Sequence, residues 1–256
     1  MTPMQPKLSF VTVNLNNSSG LIRTIRSINK QTFYNWEHIV QDGGSTDLFW
    51  DVTAQFIDKR RYIKSQKDGG IYEAMNLAIN SVQGSLVWFI NSGDELFDER
   101  TLSHVMESHQ KFHWRCAYGS LAMLDDNLEI SRVIATQPVN PQKVLQGLES
   151  FPHPSTIYEV NTLRKIGKFR PEFGPAADQE LMIRLGKHFE PYFIERVLAR
   201  FEIGGSSKGY SQRSYENLFH RIRKAHLTMS SFNLLVNRIF MELRIVKALV
   251  RNIFKD

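Results

Sequence analysis

Apolar and polar residues fall in blocks along the first part of the chain. Residues 8–15 (LSFVTVNL) have the β-branched, apolar character of a buried strand, and Asn14, Asn16, Asn17, Ser18 and Ser19 make a polar loop at its carboxyl end. Leu21, Ile22, Ile25 and Ile28 then recur at helical spacing, with Arg23 and Arg26 on the other face. Residues 36–41 and 61–65 predict two more strands, and residues 85–90, nearly all apolar, predict a central one. Ser45-Thr46-Asp47 is expected to cap a helix running to Phe56. The helix after Gly70 sets Ile71, Met75, Ala78, Ile79 and Val82 on one side and Asn76 elsewhere, with Gly84 closing it. Strands alternating with helices predict an α/β fold on a mainly parallel sheet, with ligands at the carboxyl ends of the strands.

The pattern is less regular further on. A helix is expected from Glu99 to about Phe112. Residues 116–124 and 128–134 predict a strand pair around the turn Asp125-Asp126-Asn127. A short strand follows the polar stretch 151–154, a helix covers 178–188, and a strand covers 191–201. Gly204, Gly205 and Ser206 belong to a loop, and the rest reads as helical.

Charge divides the chain. Residues 213–256 hold nine Lys/Arg and three acids, so the whole net charge of +6 belongs to that tail and residues 1–212 are balanced. We therefore expect a domain over 1–212 and a basic helical appendage over 213–256. Phe232, Leu235, Val236, Ile239, Leu243, Val246, Val250 and Ile253 form one helical stripe flanked by Arg244, Lys247, Arg251 and Lys255. That is a helix for an anionic membrane surface, or one that packs on its own core or on a second subunit. A single cysteine, Cys116, excludes an internal disulfide and a cysteine-built zinc site, and suits a reducing cytoplasm. No secretory signal and no membrane-spanning run is evident.

Three strand ends carry the candidate chemistry. Asp42-Gly43-Gly44-Ser45-Thr46-Asp47 offers an acceptor and close backbone approach, or reads simply as a tight turn. Asp68-Gly69-Gly70 leads into a helix bearing Asn76, a placement suited to ribose or sugar hydroxyls or to a plain helix start. Asn91-Ser92-Gly93-Asp94 puts a carboxylate beyond a central strand, where a hard cation meets a diphosphate, or where a turn ends. Neither GxGxxG nor GxxxxGK[ST] occurs.

Taken together, VTVN, VQDGGSTD, KDGGIYEAMN and FINSGD resemble the blocks of the family 2 glycosyltransferases of the GT-A fold, especially bacterial exopolysaccharide and lipopolysaccharide enzymes. The resemblance implies that Asp42 contacts the nucleobase and that Asn14, Asp68, Asn76, Ser92 and Gly93 hold the nucleotide-sugar. It implies that Asp94 binds Mn2+ or Mg2+, although Asn91 and Gly93 stand where many members have aspartates. Ala177-Asp178-Gln179-Glu180 resembles the family's Glu-Asp block, with Ala177 in place of the glutamate. Asp178 is then the base of an inverting transfer, though an aspartate starting a helix also reads as a cap. The resemblance sets His153 near acceptor or metal and makes Gly204, Gly205 and Ser206 a lid. The expected partners are a nucleotide-diphosphate sugar and a glycan or lipid-linked acceptor, in the cytoplasm or at its membrane face. A sugar-phosphate nucleotidyltransferase would carry a basic glycine-rich loop after the first strand, absent here. A non-catalytic scaffold of the same fold is the other rival. A nucleic-acid binder is disfavoured, because the tail lacks aromatics interleaved with its charges.

Overall fold

The structure, a computed structural model, describes residues 6–202 and 212–226. Four strands form its parallel half: β1 (Leu8–Asn14), β2 (Trp36–Asp42), β3 (Arg61–Ser65) and β4 (Leu86–Phe89), in the order β3-β2-β1-β4. Every residue of β1, β2 and β4 is buried, as both-face cover requires. Period-two alternation then assigns the faces. Val11, Val13, Val87 and Phe89 enter one core, while Leu8, Phe10, Leu86 and Trp88 enter another. Each such large side chain contributes about 1.5–3 kcal/mol by leaving water.

The helices are α1 (Ser18–Asn29), α2 (Phe49–Gln55), α3 (Ile71–Ile79) and α4 (Thr101–Phe112). Asn17 caps α1 by accepting from Gly20 N at 3.1 Å. The expected cap at 45–47 does not form. Asp47 instead accepts from Ser18 N at 2.9 Å, and α2 begins at Phe49 without a side-chain cap. Nor does Gly84 close α3, which ends at Ile79. Gly84 lies under Ser9, where a Cβ would stand 2.8 Å from the Ser9 amide nitrogen.

The second half reverses direction. β5 (Glu95–Leu96) is a two-residue strand, and β6 (Cys116–Leu124) pairs with β7 (Ile130–Ile134). After α5 (Pro141–Leu145), β8 (Thr156–Glu159) joins β4 to β6, antiparallel to both. α6 (Val160–Ile166) and α7 (Ala177–Gly186) lead to β9 (Tyr192–Glu202), parallel to β6 and antiparallel to β5. The result is a nine-stranded mixed sheet with helices on its faces, an α/β fold.

α8 (Gln212–His226) packs against this body. Leu218 and Ile222 share the core of Phe173, Leu181 and Leu145, and the His226 ring lies 2.9 Å from the buried Glu180 carboxylate. The amphipathic stripe from Phe232 onward, and with it the membrane and dimer expectations, lies outside the described residues. Within them, no helix is long and apolar enough to cross a membrane.

A polar chain crosses the parallel strands. Arg61 Nε donates to His38 Nδ1 at 3.0 Å, which puts the imidazole proton on Nε2, 2.9 Å from Thr12 Oγ1. Thr12 in turn donates to Ile90 O at 2.7 Å. Burial, then the Arg61 charge, holds the His38 pKa well below its ordinary value, against a weaker pull from Asp58.

Candidate active site

The ends of β1 and β4 and the start of α3 enclose a hollow of about 630 Å³, lined by Asn14, Asn17, Asp68, Ser92, Asp94 and Glu202 among others. Its floor is a hydrogen-bonded turn. Asn14 Oδ1 accepts from Ser92 Oγ at 2.7 Å, and Asn17 Nδ2 donates to Ser92 O at 3.0 Å. Thr24 of α1 takes the Gly93 amide at 3.1 Å and donates to Asp94 O at 2.7 Å. The turn is thereby fixed while two oxygens in it keep no partner, Asp94 Oδ2 and Asn91 Oδ1. Burial pushes the Asp94 carboxyl well above the usual range, opposed by the Asn91 backbone and Arg23 and reinforced by Glu202 and Glu95.

A second hollow, of about 730 Å³, adjoins it and shares Ile71, Asn91 and Phe201. Asp178, Gln179 and His153 line it. Asp178 is not a cap: it lies inside α7, whose first flanking residue is Ala176. Its Oδ1 accepts from Gln179 N at 2.8 Å and its Oδ2 from Gln179 Nε2 at 2.9 Å. Gln179 also clasps the Phe151 main chain, donating to its carbonyl and accepting from its amide, each at 2.9 Å. The Tyr72 phenol donates to Pro175 O at 3.3 Å, and burial, followed by the Asp178 charge, raises its pKa well above the ordinary value. His153 stacks on Phe89 at 5.8 Å, with both ring nitrogens buried and unpartnered. Burial lowers its pKa, against a smaller pull from Asp178.

A family model described as glycosyl transferase family 2 matches residues 9–133. An uncharacterized glycosyltransferase of Mycobacterium tuberculosis is 33% identical over 209 residues, covering 78% of this chain and 76% of its own. The chain belongs to glycosyl transferase family 2. A more distant relative, the Escherichia coli UDP-Glc:alpha-D-GlcNAc-diphosphoundecaprenol beta-1,3-glucosyltransferase WfgD, is 24% identical over 140 residues, 54% of this chain and 55% of that one. The fold matches the S. aureus TarS 1-349 complex with UDP-GlcNAc at a TM-score of 0.70, with 18% identity, over 89% of this chain and 69% of that one. It also matches the Pyrobaculum calidifontis mannosyltransferase PcManGT in complex with GDP-Man and Mn2+ at 0.60, with 15% identity, over 88% and 62%. These likenesses establish a GT-A-like glycosyltransferase fold.

In this family 2 transferase, Asn14, Asp68, Ser92 and Asp94 meet in one hollow, with Asp178 and His153 in the next. Two of the expected residues have other partners in this structure. Asp42 does not face the hollow: it is fully buried and accepts from Asn14, Gly44 N, Ser45 N, Ser45 Oγ and Ser65 Oγ, at 2.5–3.0 Å. Burial alone would raise its pKa, but these bonds, Ser45 foremost, draw it below the ordinary value. Asn76 faces the other way, its amide gripping Phe169 O at 2.9 Å and Phe169 N at 3.1 Å. Gly93 shapes the turn through a φ of +103°. Gly204, Gly205 and Ser206 lie outside the described residues. Gln179, Tyr72 and Glu202 are additions that the sequence pattern did not single out.

The donor set beside Asp94 suits a hard cation, since Asp94 Oδ2, Asn91 Oδ1 and the Glu202 carboxylate are all oxygen. Among the described residues no group of three or more His, Cys, Asp or Glu is placed to hold a metal ion.

Proposed function

We propose that this chain is an inverting, metal-dependent transferase that moves one sugar from a nucleotide-diphosphate donor to a lipid-linked or glycan acceptor in bacterial surface polysaccharide assembly. The observation that carries the reading is the shared wall. The unpartnered Asp94 oxygen and the Asp178 carboxylate line adjoining hollows that share Ile71, Asn91 and Phe201.

In this reading Asn14, Asp68 and Ser92 hold the nucleotide-sugar, and the amino end of α3 faces its phosphates. Asp94, with Asn91, would hold Mn2+ or Mg2+, which neutralises charge on the departing diphosphate. Asp178 takes the proton from the acceptor hydroxyl. That oxygen attacks the anomeric carbon from the face opposite the phosphate, a new C–O bond forms, the old one breaks, and the configuration inverts. Gln179 holds both carboxylate oxygens in place, and the neutral His153 ring walls the site without competing for the proton. Part of the second hollow's lining is apolar (Leu121, Met123, Ile134, Leu148, Phe151, Phe219), which suits an acceptor bearing hydrocarbon. The E. coli relative's name gives an acceptor of that kind. Placement at the cytoplasmic face belongs to the same reading.

Calorimetry with UDP, GDP and dTDP, with and without Mn2+, tests this directly. One nucleotide should bind, and more tightly with metal. Binding of none would remove the transferase reading in favour of a scaffold. NMR of the product from the matching sugar donor should show the opposite anomer, and retention would remove the role of Asp178.

A further inference from the structure

Strands β5 and β9 run antiparallel, with Glu95 opposite Arg200 and Leu96 opposite Ala199. Continued two residues toward the nucleotide hollow, that register sets Gly93 opposite Glu202, the last residue of β9. The Glu202 side chain meets the Gly93 backbone there. A Cβ built on Gly93 would stand 3.2 Å from Glu202 Oε2, 3.5 Å from Asn17 Nδ2 and 3.8 Å from Arg23 Nη2. The Glu202 carboxylate therefore fills the space that a side chain at 93 would need.

Asp94, on the same turn, is 4% exposed and has one carboxylate oxygen with no hydrogen-bond partner. It lines the hollow together with Glu202 and Asn91. Arg23 pairs with Glu202 through Oε2, which leaves Oε1 without a partner among the described residues. Arg23 lies between Glu95 and Glu202, with Arg200 opposite Glu95 on β9.

We infer that Glu202 is the second carboxylate of the cation site in this hollow, supplied from the far strand in place of the acids missing at 91 and 93. The inference rests on the metal-dependent reading above. A glycine at 93 and a glutamate at 202 then form one device: the first vacates the space and the second delivers the charge. Two carboxylates and an amide oxygen meet only part of the octahedral demand of Mg2+ or Mn2+, which leaves positions for diphosphate oxygens and water. Such a site takes up its ion together with the nucleotide.

The test measures Mn2+ uptake by electron paramagnetic resonance on full-length protein, in the presence of UDP and separately of GDP. Four proteins are compared: the unaltered chain, Glu202→Gln, Asp94→Asn and Glu95→Gln. Glu202→Gln keeps the side-chain shape and can still accept from Arg23, and thermal melts verify folding. It should weaken Mn2+ binding about tenfold or more, approaching Asp94→Asn. Glu95→Gln removes the same charge from the same group without lining the hollow, and should stay within about threefold of the unaltered protein. If Glu202→Gln binds like the unaltered chain, or Glu95→Gln falls as far, Glu202 is no ligand and the inference is overturned. If the unaltered chain takes up no Mn2+ with either nucleotide, the metal-dependent reading fails with it. Normal uptake by both the unaltered chain and Glu202→Gln would defeat the inference alone.

Discussion

Asn14 Nδ2 donates to Asp42 Oδ1 across 2.8 Å, from the end of one strand to the end of its neighbour. Asn14 lines the hollow beside Asp94, and Asp42 lies outside its lining, closed to solvent. The aspartate thus acts through the asparagine. It also gathers Gly44, Ser45 and Ser65, so one carboxylate organises the ends of three strands.

Asp42→Asn puts an amide NH2 against groups that donate. The expected cost is about 1–3 kcal/mol of stability, read from urea unfolding. Because the native Asp42 pKa is depressed, its stabilisation is present above the unfolded carboxylate pKa and is lost as pH falls through the folded one. The variant should therefore show a shallower acid limb than the unaltered protein. An identical limb and midpoint would mean that these bonds contribute nothing.

Asp178→Asn keeps the shape and most of the Gln179 contacts but removes the proton acceptor. Turnover should fall about 100- to 10,000-fold, while nucleotide binding by calorimetry stays as it was. Near-normal turnover would show that the base lies elsewhere.

Asp94→Ala should abolish the Mn2+-dependent part of nucleotide binding and leave the metal-free part in place. Equal affinity for the variant and the unaltered chain in Mn2+ would remove Asp94 from the diphosphate end of the hollow.

His38 makes stability sensitive to mild acid. Folded, its pKa is depressed and the ring stays neutral. Unfolded, it takes up a proton below its ordinary value of about 6.5. The unfolded state therefore binds more protons in that window, and stability falls as pH drops, by up to about 1.4 kcal/mol per unit. Glutamine at this position can bridge Arg61 and Thr12 without titrating. Between about pH 7 and pH 5, the melting temperature of His38→Gln should fall less than that of the unaltered protein. Parallel curves would clear His38 of the effect.

The parallel half of the fold was legible because its strands are buried on both faces, and the central one reads as an unbroken apolar run over residues 86–90, with Ile39 and Val40 marking its neighbour. The bends between them were less so. Ser45-Thr46-Asp47 has capping chemistry, yet its groups bond back to Asn16, Asp42 and Ser18, and no local pattern reveals that. β5 has two residues, too few for any periodicity. In the site, Asp68, Asp94 and Asp178 stood out as carboxylates at element starts and ends. Asn76 is held by Phe169, 93 residues away, a partner that no local pattern reveals. Glu202 was invisible for a related reason: only the pairing of β5 with β9 brings it to Gly93. Gln179 had a faint signal, an amide beside the candidate base, but its grip on Phe151 is a tertiary fact.

The lining that the two hollows share at Ile71, Asn91 and Phe201 also bears on inhibitor chemistry. A nucleotide fragment and an apolar acceptor fragment joined by a short tether past those residues would dock as one ligand. Once the first fragment is seated, the second binds at the high effective concentration set by the tether, so two weak ligands would make a tight one.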